Sequence, residues 1–137
     1  MDQEMNLYKI KTIELDSWQQ KVEWPPPQTF CIAVIVDATA HSGKSCCDLV
    51  MSGIESGAKS VFCWGKKASK FADGVTLCLA ARKYIGQTEL QTDEDFVIIA
   101  IHETKYEEAV KVILNAWMDN IPSRPKLRTL LVLKSNS

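Results

Sequence analysis

The chain predicts an α/β fold: a small three-layer sandwich, Rossmann-like or flavodoxin-like, with a mostly parallel four-stranded sheet and helices on both faces. Three observations carry this. From residue 30 onward, β-rich apolar runs alternate with helical patterns. Runs such as "FCIAVIV" and "FVIIAIH" are continuous, as in strands buried on both faces. A strand–helix–strand alternation then implies parallel pairing through right-handed crossovers. The 137 residues suffice for one domain with a real core and are too few for two. The expected organisation is an N-terminal extension or edge element over 1–29 and a single α/β domain over 30–137.

Taken in order, "LYKIKTIEL" has the β-branched, partly alternating character of a short edge strand, with a helix as the alternative. "WPPPQ", Trp24 to Gln28, is a stiff extended connector, because successive prolines fix φ and forbid a helix just before them. One short triplet beside a core strand reads as a spacer rather than an SH3-type ligand. "FCIAVIV" (30–36) is the first core strand. A helix over 43–56 follows, with Cys46, Leu49, Val50, Gly53 and Ile54 on one face and Gly57 at the left-handed C-cap position.

"SVFCW" (60–64) is the second strand. Phe71, Val75, Leu79 and Arg82 then step at helical spacing over 69–85, and Gly86 stops that helix. The acidic loop "QTELQTDED" leads to "FVIIAIH" (96–102). Thr104 to Glu107 spells a capping box. It opens a helix whose stripe is Tyr106, Ala109, Val110, Ile113, Leu114 and Trp117. "IPSRPK" breaks this helix, and "LRTLLVLK" (127–134) is the last strand. Counting from residue 30, the expected strand order is 2-1-3-4.

Composition narrows the function classes. Hydrophobic residues make up 46% and charged residues 24%, and the net charge is −1 from 16 basic and 17 acidic residues. With no basic block, nucleic acid is not an expected partner. The N-terminal residues show no basic flank leading into an apolar run, and the apolar runs fall far short of the roughly 20 residues that span a bilayer. The expectation is a cytoplasmic protein with no membrane partner. Five cysteines, an odd number with no CxxC pair, fit neither a metal site nor a disulfide framework. They read as small buried hydrophobes, although Cys46 and Cys47 lie near a helix N-terminus that could lower a thiol pKa.

Ligands of such sheets bind beyond the carboxyl ends of the strands, where strand order reverses. Asp37, Thr39 and His41 follow the first strand; Trp64, Lys66, Lys67 and Ser69 the second; His102 and Glu103 the third. An order of 2-1-3-4 would bring Asp37, His41, His102 and Glu103 to one crevice. A histidine beside a carboxylate is competent for general acid–base work. The plainer alternative is that His102 and Glu103 are polar residues leading into a helix cap.

The stretch from Ala38 to Ser45 has the spacing of a degenerate Walker A loop, with Gly43, Lys44 and Ser45 as phosphate-binding candidates. A buried strand before it and a helix after it are the context such a loop needs. Against it, no second strand ends in a carboxylate able to hold magnesium, and Asp37 beside the loop would repel phosphate. Ser42 or Ser45 as N-cap and Lys44 as a solvated residue explain the same letters. "VIVDAT" also suggests the nucleophilic-aspartate strand of haloacid-dehalogenase-like phosphatases. Ala38, however, replaces their second acidic residue, and no later acidic pair ends a strand.

Ser56-Gly57, Trp64-Gly65 and Ser69-x-Phe71-x-Asp73-x-Val75 together resemble an uncharacterised family of small bacterial proteins. That family shares a Ser-Gly turn, a strand ending in Trp-Gly, and Ser-x-Trp-x-Asp-x-Val opening a helix. "DEDFVIIAIHE" is similar to the family's strand ending in His-Glu. Phe71 stands where the family has Trp, and Gly74 where it has an acidic residue. The family has no assigned activity and no shared Gly-Lys-Ser loop.

The functional expectation is therefore a non-catalytic protein-binding module, of a bacterial immunity or accessory type, with no cofactor. Exposed Trp18, Trp24 and the "WPPP" segment would serve as aromatic anchors, with core packing the alternative for at least one Trp. The alternative function is a small-ligand or nucleotide-phosphate-binding enzyme using the crevice.

Overall fold

The computed structural model describes residues 9–35, 43–84, 96–102, 105–117 and 128–135. Within them the chain forms β1 (Lys9–Leu15), β2 (Phe30–Ile35), α1 (Gly43–Glu55), β3 (Val61–Trp64), α2 (Ala68–Tyr84), β4 (Ile98–Ile101), α3 (Tyr106–Val112) and β5 (Thr129–Ser135). A π-helical turn over Ile113–Trp117 continues α3. The alternation read from the sequence is present, and "KIKTIEL" adds a fifth strand.

All the strands run parallel, in the order β1-β5-β2-β3-β4. The period of two along each strand sorts the core into two layers. Ile32, Val34, Val61, Cys63, Leu131 and Leu133 pack under α1 and α2. Cys31, Ala33, Phe62, Leu130 and Val132 pack with Ala109 and Ile113, from α3 and the turn that continues it. The three interior strands, β5, β2 and β3, are buried on both faces.

The expected order of 2-1-3-4 is corrected to 3-2-1-4 on the same count from residue 30, with β1 beyond the fourth. Right-handed crossovers explain the arrangement. Two successive steps in one direction, β2 to β3 to β4, place α1 and α2 on the same face, where they pack on each other. The return from β4 to β5 reverses direction and sends α3 to the opposite face. An order of 2-1-3-4 would have split α1 from α2. "FVIIAI" looked central because it is apolar throughout. It forms an edge instead, with Phe96, Ile98 and Ala100 against one helical layer and Ile99 against the other.

The link from β1 to β2 also crosses a strand, β5, without a helix. Trp18, Val22 and Trp24 pack this link onto the α1 side of the sheet. Trp24 stacks on Phe30 with ring centroids 6.1 Å apart. Pro26 to Thr29 form a tight turn: the Thr29 N–H donates to the Pro26 carbonyl at 3.2 Å, and Gln28 takes φ +70°. This is the type II pattern, with Pro second and a left-handed residue third.

The same turn seals the end of α1. The Gly57 N–H donates to the Ile54 carbonyl and the Ala58 N–H to that of Gly53, a Schellman closure with Gly57 at φ +106°. A Cβ on Gly57 would lie 2.7 Å from Pro27. The expected Gly57 cap is therefore present, and the prolines fit against it.

The Thr104 capping box is not the helix start observed. Lys105 is the N-cap of α3, in extended conformation and without a side-chain cap bond. Thr104 itself lies outside the described residues.

Candidate functional site

The strand order moves the crevice. The reversal falls between β2 and β5 rather than between the strands at 30–36 and 96–102. With β3 between them, the ends of β2 and β4 are two strand spacings apart, about 10 Å. Sheet order therefore gives no reason for His102 to face the carboxyl end of β2. His102 follows β4 and is exposed. Asp37, Ala38, Thr39, His41 and Glu103 lie outside the described residues, so of the expected Asp37, His41, His102 and Glu103 group only His102 is described.

Gly43 opens α1, which puts Lys44 and Ser45 in its first turn. This is the backbone setting the degenerate Walker A reading requires: a helix starting at Gly-Lys-Ser, reached from the end of a central strand. Trp64, at the end of β3, meets Tyr106 edge-on at 5.7 Å between ring centroids. Lys66 and Lys67 stand exposed in the turn that follows, entered through Gly65 at φ +122°. Ser69 is exposed on α2. Trp64 and Lys66 thus sit beside β4 and α3, one strand away from the β2 end that precedes Gly43.

The thiols divide by environment. Cys31, Cys46, Cys47 and Cys63 are buried, and Cys78 is exposed. Burial pushes the Cys63 thiol up to about 12, with Cys47 nearby adding to the shift. Burial also raises Cys46 well above the ordinary thiol range, with smaller contributions from Cys63 and Cys47. Cys46 thus matches the buried-hydrophobe reading, and desolvation of the thiolate outweighs any lowering by the helix N-terminus. Cys47 and Cys78 face each other across α1 and α2, with Sγ atoms 3.3 Å apart.

A concavity lies where the sequence offered only two tryptophans. The β1–β2 link and α1 enclose an open groove of about 530 Å³. Trp18, Val22, Trp24 and Leu49 supply apolar lining, and Lys21, Asp48 and Ser52 supply polar groups. Trp18 is not an exposed anchor: it is 6% exposed and belongs to the core. Trp24 is half-buried. The two indoles therefore line the groove as packed side chains. Among the described side chains of α1, Asp48, Ser52 and Glu55 are exposed, and the first two line the groove.

Among the described residues, no group of three His, Cys, Asp or Glu could hold a metal ion. None of their helices is long and apolar enough to cross a membrane. Comparison with known protein families, with curated proteins and with solved structures finds no match for the chain, so the resemblance over the chain after residue 30 rests on the short motifs from Ser56 to Val75 and on "DEDFVIIAIHE" alone.

Proposed function

We propose that this protein is a non-catalytic protein-binding module that uses the groove between the β1–β2 link and α1. The observation that carries the reading is the make-up of that groove. An apolar lining of Trp18, Val22, Trp24 and Leu49 sits beside exposed Lys21, Asp48 and Ser52. Protein interfaces share this arrangement of a water-excluding centre and a hydrogen-bonding rim. The space suits one or two apolar side chains of a partner's loop rather than a whole helix. An immunity-type or accessory role is the finer form of the proposal, and the partner's identity decides it.

The test is capture of a stoichiometric partner from the source cell, repeated with Ser52→Arg, which would fill the groove from an exposed helical position. Capture by the parent chain and loss with Ser52→Arg is the expected result. Capture that survives the substitution, or no stoichiometric partner, would sink the proposal.

One observation favours a second reading, a nucleotide-phosphate site. Helix α1 begins at Gly43 of Gly43-Lys44-Ser45, after a strand beside the reversal of the sheet. A thermal shift with millimolar ATP or GTP and magnesium, abolished by Lys44→Ala, would support it. No shift would end it.

A further inference from the structure

We infer that Cys47 and Cys78 form a redox-active dithiol that closes to a disulfide linking α1 to α2. The two sulfurs are 3.3 Å apart, so a bond requires an approach of about 1.2 Å. The pair is also chemically asymmetric. Cys78 is exposed and open to a solvent-borne reagent, whereas Cys47 is buried behind it. The other thiols do not compete: Cys31 lies in the opposite core layer, and Cys46 and Cys63 are enclosed under α1 and α2.

The oxidant is a low-molecular-weight disulfide such as glutathione disulfide. The Cys78 thiolate attacks one of its sulfurs, forming a mixed disulfide and expelling one thiolate. Cys47 then loses its proton and attacks the Cys78 sulfur, which expels the second thiolate. Two cysteine thiols become one disulfide, one small disulfide becomes two thiols, and the two cysteine protons pass to the expelled thiolates. A reducing thiol reverses both steps. The oxidised form ties together helices whose mutual packing decides the direction of the sheet, and it fixes α1, one wall of the groove.

The whole chain is equilibrated in buffers of stepped glutathione to glutathione-disulfide ratio, quenched with an alkylating agent and mapped by peptide mass. One Cys47–Cys78 link is expected, reversible on reduction, with Cys31, Cys46 and Cys63 alkylated only after unfolding. Cys47→Ser should halt at a stable mixed disulfide on Cys78. Cys78→Ser should abolish oxidation altogether, and each change replaces a single atom. A native chain that accumulates only the mixed disulfide would overturn the inference. So would a link between any other pair, or a Cys47–Cys78 link formed as fast in urea as in the folded chain.

Discussion

Helices α1 and α2 lie on the same face of the sheet and each carries an interior glycine, yet the two glycines sit in opposite surroundings. A Cβ on Gly53 of α1 would run into Ile32 Cδ1 and lie 2.9 Å from the Trp24 ring. A Cβ on Gly74 of α2 would meet nothing within 4 Å. The exposure patterns agree: described side chains of α1 reach solvent only at Asp48, Ser52 and Glu55, whereas Leu77 of α2 is 71% exposed. One helix is held between sheet, neighbouring helix and the Pro-rich link; the other borders solvent. Packing therefore reaches α1 from a segment that contains no helix.

Trp24→Ala is the strongest way to break this difference. It removes the ring that stacks on Phe30 and covers Gly53. Fully buried aromatic truncations cost roughly 3–5 kcal/mol, and half-burial brings the expected loss here to about 2–4 kcal/mol. Urea unfolding reads it directly. A loss below about 1 kcal/mol would mean that the link does not clamp α1.

The two glycines give the next test, because propensity and packing compete at one and not at the other. Alanine is favoured over glycine inside a helix by about 1 kcal/mol. At Gly53 overpacking costs roughly 1–3 kcal/mol, and the rigid indole cannot retreat as the tip of Ile32 can, so Gly53→Ala should destabilise by about 1 kcal/mol net. At Gly74 nothing opposes propensity. Gly74→Ala should therefore stabilise by about 1 kcal/mol, raising Tm by about 3–5 °C. Equal signs at the two positions would show that the surroundings of α1 and α2 do not differ as described.

What the sequence revealed, and what it hid, follows the same line. Periodicity within a segment exposed each helix and strand, because burial of "FCIAVI" or of Val75 and Leu79 is a local pattern. The direction of the β3-to-β4 step was hidden. It depends on whether α2 packs beside α1, a contact between surfaces that neither helix's periodicity specifies. The apolar run at β4 misled for a related reason, since an edge strand covered by helices on both faces needs the same residues as a central one. At the site, the start of a helix at Gly43 was legible from its cap and turn letters. The groove was not, because Trp18 to Trp24 and Asp48 to Ser52 meet only after the link has crossed β5.

The smallest effect probes the hinge between link and helix. Gln28 takes φ +70° while its N–H donates to the Gly57 carbonyl at 2.9 Å. The left-handed conformation costs an L-residue about 1–2 kcal/mol, and glycine escapes that cost but loses about 0.5–1 kcal/mol more backbone entropy on folding. Gln28→Gly should therefore stabilise by about 0.5 kcal/mol, whereas Gln28→Val, β-branched and ill-suited to positive φ, should destabilise by more than that. Both variants keep the N–H, so the bond to Gly57 does not account for the difference. If Gln28→Val were as stable as the parent chain, the turn would not need its left-handed residue. The fit of Pro27 against Gly57 would then be set by the prolines alone.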